Sequence, residues 1–252
     1  MNSFKSFFVN SYPRSGNTWI RLVLTEALNA KPIDLNPVFS TRYRIFPVHW
    51  YSKITDADSR GCIFKSHLMF DQLPQDLTAF KGIYMLRDGR DSLLSYYFFN
   101  VKHKGYTESW DSFFERYFKN RKASSYRERI LLKQMGSWGE NVSSYDGLQS
   151  TMLIRYEDLL ANTQGQLQKA FDFLGINFHE YKSKIQEGLL RSNESLHQKS
   201  NRDREERKRG ANGAWKDFFS REQNQLFIDR YGTLLNKFGY LEGTVPKNQA
   251  GK

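Results

Sequence analysis

Residues 7–24 read FFVNSYPRSGNTWIRLVL. An apolar run ends in a serine, a short loop with one glycine follows, and apolar residues then recur at helical spacing. Strand, tight loop and helix in that order let the backbone N–H groups from Ser15 to Thr18 converge on an anion at a helix N-terminus. Against the Walker pattern G-x-x-x-x-G-K-[ST], Ser11 takes the place of the first glycine, Gly16 and Thr18 match, and Asn17 stands where the lysine belongs. A basic residue sits inside the loop instead, at Arg14. Triphosphate enzymes use that lysine on the β/γ-phosphates and an acid on Mg²⁺, and no second acid in the sequence suits that task. The loop is therefore expected to bind a phosphate without Mg-dependent triphosphate chemistry. On the loop alone, an ordinary turn capping an ordinary helix stays open as the alternative.

Outward from this stretch the pattern repeats. Residues 6–11, "GCIFKSH" (61–67) and "GIYMLRD" (82–88) read as short buried strands, and "STMLIRYEDLL" (150–160) as a strand with a helix following. Helices are expected over 17–29, with Trp19, Ile20, Val23, Leu24, Ala27 and Leu28 inward, and from about 91 to 99; Gly175 suits a helix C-terminus. The alternation predicts an α/β fold: a single P-loop-like domain over 1–252 with a central, mainly parallel sheet flanked by helices on both faces. Ligands of such sheets bind at the carboxyl ends of the strands. Residues 30–60, rich in proline and aromatics, and 199–215, which opens on the charge run "KSNRDREERKR", are expected to be loop or lid excursions.

The 252 residues carry a formal net charge of +11, with 39% hydrophobic and 15% aromatic content. That composition belongs to a globular chain and favours anionic partners without choosing among them. Basic residues are spread along the chain and no nucleic-acid reader motif appears, so no nucleic-acid partner is expected. With Cys62 as the single cysteine, no internal disulfide or cysteine-based zinc site can form, which suits a reducing, cytoplasmic setting. No stretch approaches the roughly 20 apolar residues of a membrane span, and no membrane partner is expected. The N-x-S sequons at Asn141 and Asn193 are read as chance matches.

Further anion-binding groups fall at strand ends. Arg87 follows the 82–86 run and Ser95 lies two helical turns on. Lys65 and His67 close another strand, and Lys208, Arg209 and Gly210 add two cations and a backbone donor. Each has a plainer reading: a strand-end surface charge for Arg87, a solvated charge run for 208–210, a structural histidine for His67, a core ring for Trp19 or Tyr156.

Taken together the segments resemble the cytosolic type of sulfotransferase that uses 3′-phosphoadenosine 5′-phosphosulfate (PAPS). The family's Y-P-K-S-G-T-T-W is here "YPRSGNTW". Its lysine–threonine–histidine stretch is "KSH", its R-x-x-x-D-x-x-x-S-Y-Y is "RDGRDSLLSYY", its Y-E-D is "RYEDLL", and its late R-K-G-x-x-G-D-W-K is "KRGANGAWK". These fall in the family's order from residue 11 to 216.

The resemblance implies that Arg14, Ser15, Gly16, Asn17 and Thr18 hold the 5′-phosphosulfate, with Arg14 in the place of the family's lysine near the leaving oxygen. It implies Trp19 stacked on adenine, Tyr156 at the adenine edge, and Arg87, Ser95, Lys208, Arg209 and Gly210 on the 3′-phosphate. His67 becomes the general base and Lys65 a contact of the sulfonate or acceptor, with Arg14, Lys65 and His67 as the catalytic group. No metal is required, and the spent donor is 3′,5′-adenosine bisphosphate (PAP). The expected reaction is in-line sulfonate transfer to a hydroxyl of a small molecule in a biosynthetic setting. An amine or carbohydrate acceptor, and a P-loop kinase-like nucleotide enzyme, are the alternatives. The family's dimer segment is replaced by "KDFFSREQNQ" (216–225), leaving monomer or homodimer open, and Ala214 stands for the usual Asp.

Overall fold

A computed structural model describes residues 5–35, 61–73, 75–199 and 211–241. Of the excursions expected at 30–60 and 199–215, residues 36–60 and 200–210, with Lys208, Arg209 and Gly210, lie outside the described residues. In chain order the elements are β1 (Phe7–Ser11), α1 (Asn17–Leu28), β2 (Lys31–Asp34), β3 (Cys62–Ser66), α2 (Gln75–Thr78), β4 (Gly82–Leu86), α3 (Gly89–Lys104), α4 (Trp110–Phe113), α5 (Tyr126–Met135), α6 (Trp138–Tyr145), β5 (Thr151–Arg155), α7 (Tyr156–Ala161), α8 (Thr163–Leu174), α9 (Phe178–Lys199) and α10 (Arg221–Lys237). The chain divides into two compact units, Met1–Leu86 with Ile130–Asn201, and Arg87–Arg129 with Arg202–Lys252.

The first unit holds the sheet, in the order β2-β3-β1-β4-β5, and every pairing is parallel. β1 and β4 are buried along their whole length, which is why both read as continuous apolar runs. Their side chains still divide by the period of two. Phe7, Val9, Ile83 and Met85 join Ile63 and Ile154 under α1, α8 and α9, meeting Ile20, Val23, Leu24, Phe171 and Phe178. Phe8 and Tyr84 belong to the other face, where Tyr84 stacks on Tyr145 of α6 with centroids 4.6 Å apart, and Phe8 meets the same ring at 6.2 Å. A Cβ on Gly82 would lie 1.9 Å from the Phe8 ring, so close packing dictates glycine at the head of β4. α1 is braced from outside by α9, through the Arg191–Glu26 ion pair.

The strand β2 departs from the expected loop at 30–60. Lys-Pro-Ile-Asp pairs with β3, Pro32 opposite Ile63, at the edge of the sheet. An edge strand tolerates proline because one side of it has no ladder to donate to, so a strand here is silent to a search for apolar runs.

The second unit is built from aromatic helices. α3 starts two residues before and ends five residues beyond its expected bounds of about 91 and 99, running from an Asp88 cap to Gly105 in the left-handed region. Phe113 stacks on Tyr117 at 5.0 Å and Phe118 on Phe227 of α10 at 5.0 Å. Arg90, 1% exposed, lies 3.7 Å over the Trp215 ring and donates to Asp88, Asn224 at 3.0 Å and the Tyr240 carbonyl at 2.6 Å. A buried guanidinium is tolerable only when its donors are answered in this way. Within "KDFFSREQNQ", Ser220 and Gln223 form the capping box that starts α10.

Candidate active site

In the first unit the carboxyl ends of β1 and β3 lie side by side, Asn10 opposite Ser66. Beyond β1 the chain turns through a loop in which Arg14 (φ 69) and Gly16 (φ 92) are both left-handed. For an arginine that conformation is strained, and such strain gathers at functional sites. Gly16 is required twice over, by its φ and because a Cβ there would lie 2.6 Å from the Tyr156 ring. Tyr156, the first residue of α7, is thus packed on the loop backbone.

Gly16 is also the N-cap of α1, which has no side-chain cap and no acid in its first turn. Four other helices start on side-chain caps, Asp88 on α3, Ser137 with Glu140 on α6, Asn162 on α8 and Ser220 with Gln223 on α10, while α7 has no side-chain cap but carries Glu157 and Asp158 in its first turn. A helix start without such a side chain presents its N–H groups and the positive end of its dipole to whatever anion arrives.

Asn17, at the position of the Walker lysine, turns inward. Its Nδ2 faces the Val9 carbonyl and the Ser11 hydroxyl, both at 3.2 Å, and the Ser66 carbonyl at 3.3 Å. The carboxamide therefore ties β1 to β3 beneath the loop, leaving its backbone N–H as the group it has in common with the loop donors. Ser15 is buried, Thr18 exposed and Arg14 half-buried.

His67 follows β3 directly. Its Nδ1 is 2.8 Å from the Ser11 carbonyl and 3.3 Å from the Ser11 hydroxyl. A carbonyl oxygen only accepts, so Nδ1 carries the proton and Nε2 holds the lone pair. Burial pushes the His67 pKa down to about 3, with the charges of Lys65 and Arg14 acting in the same direction and the Ser11 bond against it. The ring is neutral across the physiological range. Lys65 is itself engaged, its Nζ 3.2 Å from Asp34 on β2. Burial lowers the Lys65 pKa and Asp34 opposes the shift.

The second unit carries Arg87 and Ser95, both buried. Arg87 donates to the Ala211 carbonyl at 3.3 Å, so it is tied to the residue directly following Gly210. Asp91 holds the same segment by accepting from Gly213 N–H at 2.7 Å and Trp215 N–H at 3.0 Å. Burial raises the Asp91 pKa to about 6, and Arg87 opposes the rise. Ala214 is buried between those two contacts; the Asp that the resemblance expects would put a further carboxylate there.

Trp19 is half-buried and lies against the core under α1. Sequence reasoning missed Tyr84, Asn141, Asp34 and Asp91 as site-shaping residues. Asn141 drew notice only as a sequon; it is fully buried and its amide is bonded on both atoms, which agrees with a chance match. Among the described residues no cluster of His, Cys, Asp or Glu could hold a metal ion, and no helix is long and apolar enough to cross a membrane.

Comparison with known proteins adds to this geometry. The family model described as sulfotransferase domain matches residues 4–239. Rat sulfotransferase 1A1 is 26% identical over 258 residues, covering 90% of this chain and 83% of that one. Cytosolic sulfotransferase 17 of Arabidopsis thaliana is 23% identical over 253 residues, covering 86% and 70%. Among solved structures, mouse sulfotransferase SULT7A1 complexed with PAP superposes with a TM-score of 0.67 at 21% identity, covering 94% of this chain and 88% of that one. At that identity the superposition speaks for the fold.

Proposed function

The chain belongs to the sulfotransferase-domain family, and on that footing we propose that it moves the sulfonate of PAPS to a hydroxyl of a small-molecule acceptor. The observation that carries the reading is the juxtaposition in the first unit of a helix start without a side-chain cap, with Arg14 and Gly16 left-handed, and a neutral histidine whose Nδ1 carries the proton.

In this reading the loop N–H groups from Ser15 to Thr18 and the Arg14 guanidinium bind the 5′-phosphosulfate and stabilise charge developing on the departing phosphate. His67 Nε2 takes the acceptor's hydroxyl proton as its oxygen bonds to sulfur and the bond from sulfur to the phosphate oxygen breaks, leaving PAP. Arg14 stays charged and donates in a fork, so it shields the leaving oxygen rather than protonating it. A base near pKa 3 is a weak one; an anion held at the loop offsets the Lys65 and Arg14 charges and raises it in part, while burial, the larger cause, stays. Lys65, shared with Asp34, steers the sulfonate or the acceptor. Trp19 and Tyr156 take the adenine, and Arg87 and Ser95, with Lys208, Arg209 and Gly210, take the 3′-phosphate. The PAP in the mouse relative's structure and the cytosolic naming of the plant relative support the donor and a cytoplasmic setting. The kinase-like alternative loses support because Asn17, at the lysine position, is turned into the sheet.

Calorimetric titration with PAP in EDTA, with ATP as control, tests the proposal. Micromolar or tighter PAP binding without metal is expected, with ATP much weaker; a preference for Mg-ATP would return the kinase-like reading.

A further inference from the structure

On the sheet face away from α1 lies a polar chain that neither the phosphate loop nor the imidazole accounts for. Tyr84 of β4 and Asn141 of α6 are both fully buried. The Tyr84 hydroxyl donates to Asn141 Oδ1 at 2.7 Å and accepts from Tyr12 N–H at 3.2 Å. Asn141 Nδ2 gives its hydrogens to the His67 carbonyl at 3.0 Å and the Met135 carbonyl at 2.7 Å. One end of the chain is therefore the backbone of the residue that opens the phosphate loop, and the other is the backbone of the residue that carries the base. A second strap reaches the next residue along, since Asn10 Nδ2 donates to the Leu68 carbonyl at 3.0 Å.

Packing alone does not ask for this chemistry. Two apolar side chains of the same size would fill the space without burying groups that must each find a partner, and swapping both members of a buried polar pair for apolar ones is often close to neutral in stability. What polar groups add is direction. The His67 ring reaches the Ser11 carbonyl over 2.8 Å, and that contact selects Nδ1 as the protonated nitrogen. Its geometry depends on where the His67 backbone stands relative to the end of β1.

We infer that Tyr84 and Asn141 are positioning residues of the transfer reaction, holding the His67 backbone against the start of the phosphate loop so that the imidazole keeps its Nδ1–H tautomer, with the lone pair on Nε2. The inference rests on the sulfotransferase reading for its kinetic part, and stands on its own for the tautomer.

The test uses Asn141→Leu, which keeps the bulk and removes the amide, and Tyr84→Phe, which deletes one hydroxyl. Misplacing a base by a fraction of an ångström lowers turnover steeply, so kcat should fall by roughly 10- to 100-fold in Asn141→Leu and about 3- to 10-fold in Tyr84→Phe, with PAP affinity nearly unchanged. In a His67→Ala background, neither substitution should lower the residual rate by more than about twofold, because residues acting through one side chain are not additive with its loss. The same fold-loss in that background would overturn the inference in favour of a merely structural role. Imidazole ¹⁵N shifts, assigned by the signal lost in His67→Ala, give a readout free of turnover. The wild type should show protonated Nδ1 and bare Nε2, and Asn141→Leu a mixture of tautomers. An unchanged tautomer in both variants would also overturn it. Should Asn141→Leu not fold, Tyr84→Phe carries both readouts. If the wild type transfers no sulfonate, the functional reading fails while the nitrogen shifts still decide the positioning role.

Discussion

The loop edge of the first unit and the head of α3 in the second are both rich in charged and polar residues, and they use them in opposite ways. At the loop edge the side chains are turned inward: Asn17 to the ends of β1 and β3, Lys65 to Asp34. The helix start beside them has no side-chain cap. At the head of α3 the backbone is capped by Asp88 and the charged side chains answer one another, Arg90 with Asp88, Asn224 and Tyr240, Asp91 with Gly213 and Trp215. One region surrounds a helix start that has no side-chain cap; the other consumes its charges in its own architecture. Two titrations move in opposite senses from one cause, since burial favours the neutral form in both, pushing a histidine down and a carboxylic acid up.

Substitutions should separate the two regions cleanly. The largest effect is expected from His67→Ala, which should lower turnover by about 10²–10⁴-fold while leaving PAP affinity nearly intact; an undiminished rate would remove His67 from the chemistry. Arg90→Met should leave Asp88 buried without its partner and cost about 3–5 kcal/mol of stability, read by urea denaturation, and a loss below 1 kcal/mol would mean the network contributes little. Gly16→Ala forces a Cβ into the Tyr156 ring at a left-handed φ; about 1–3 kcal/mol of strain is expected, with PAP binding weakened more than stability, since the loop itself must shift. Gly16→Ala with wild-type PAP affinity would show that the loop conformation is not what the ligand reads.

The smallest effect sharpens the contrast most. His67 titrates near 6.5 unfolded and about 3 folded, so between those values the unfolded chain binds more protons. Its contribution is present above pH 6.5 and is lost as pH falls toward 3. Asp91 titrates near 3.8 unfolded and about 6 folded, so the folded chain binds more protons. Its contribution is present below pH 3.8 and is lost as pH rises through 6. The two slopes oppose one another between pH 4 and 6. Relative to wild type, His67→Ala should tilt the stability profile toward greater stability at low pH, and Asp91→Asn toward greater stability at high pH. Parallel tilts in denaturation midpoints across that window would contradict the assignment of opposite shifts.

Where burial is continuous, reading the sequence works. β1, β3 and β4 end within two residues of their expected bounds, since runs such as FFVNS and GIYML suit only a strand covered on both faces. β2 was illegible because edge strands tolerate proline and charge, and its register depends on β3, which lies some thirty residues away. His67 could be singled out by its place at a strand end. Asn141 and Tyr84 could not, since nothing local in "GENVS" or "GIYML" tells a polar core residue from a helix cap or a packing tyrosine.

By itself the sequence determined the strand–loop–helix order, the parallel sheet and the place of Asn17 and His67 beside strand ends, because hydrophobic period and a glycine of required conformation are local properties of a chain. Only the tertiary structure decided that Asn17 ties strands together, that Lys65 is shared with Asp34, and that His67 is neutral with its proton on Nδ1. Those are matters of direction and dielectric, and they arise only when carbonyls, charges and buried surfaces from distant segments are brought within about 3 Å of one another.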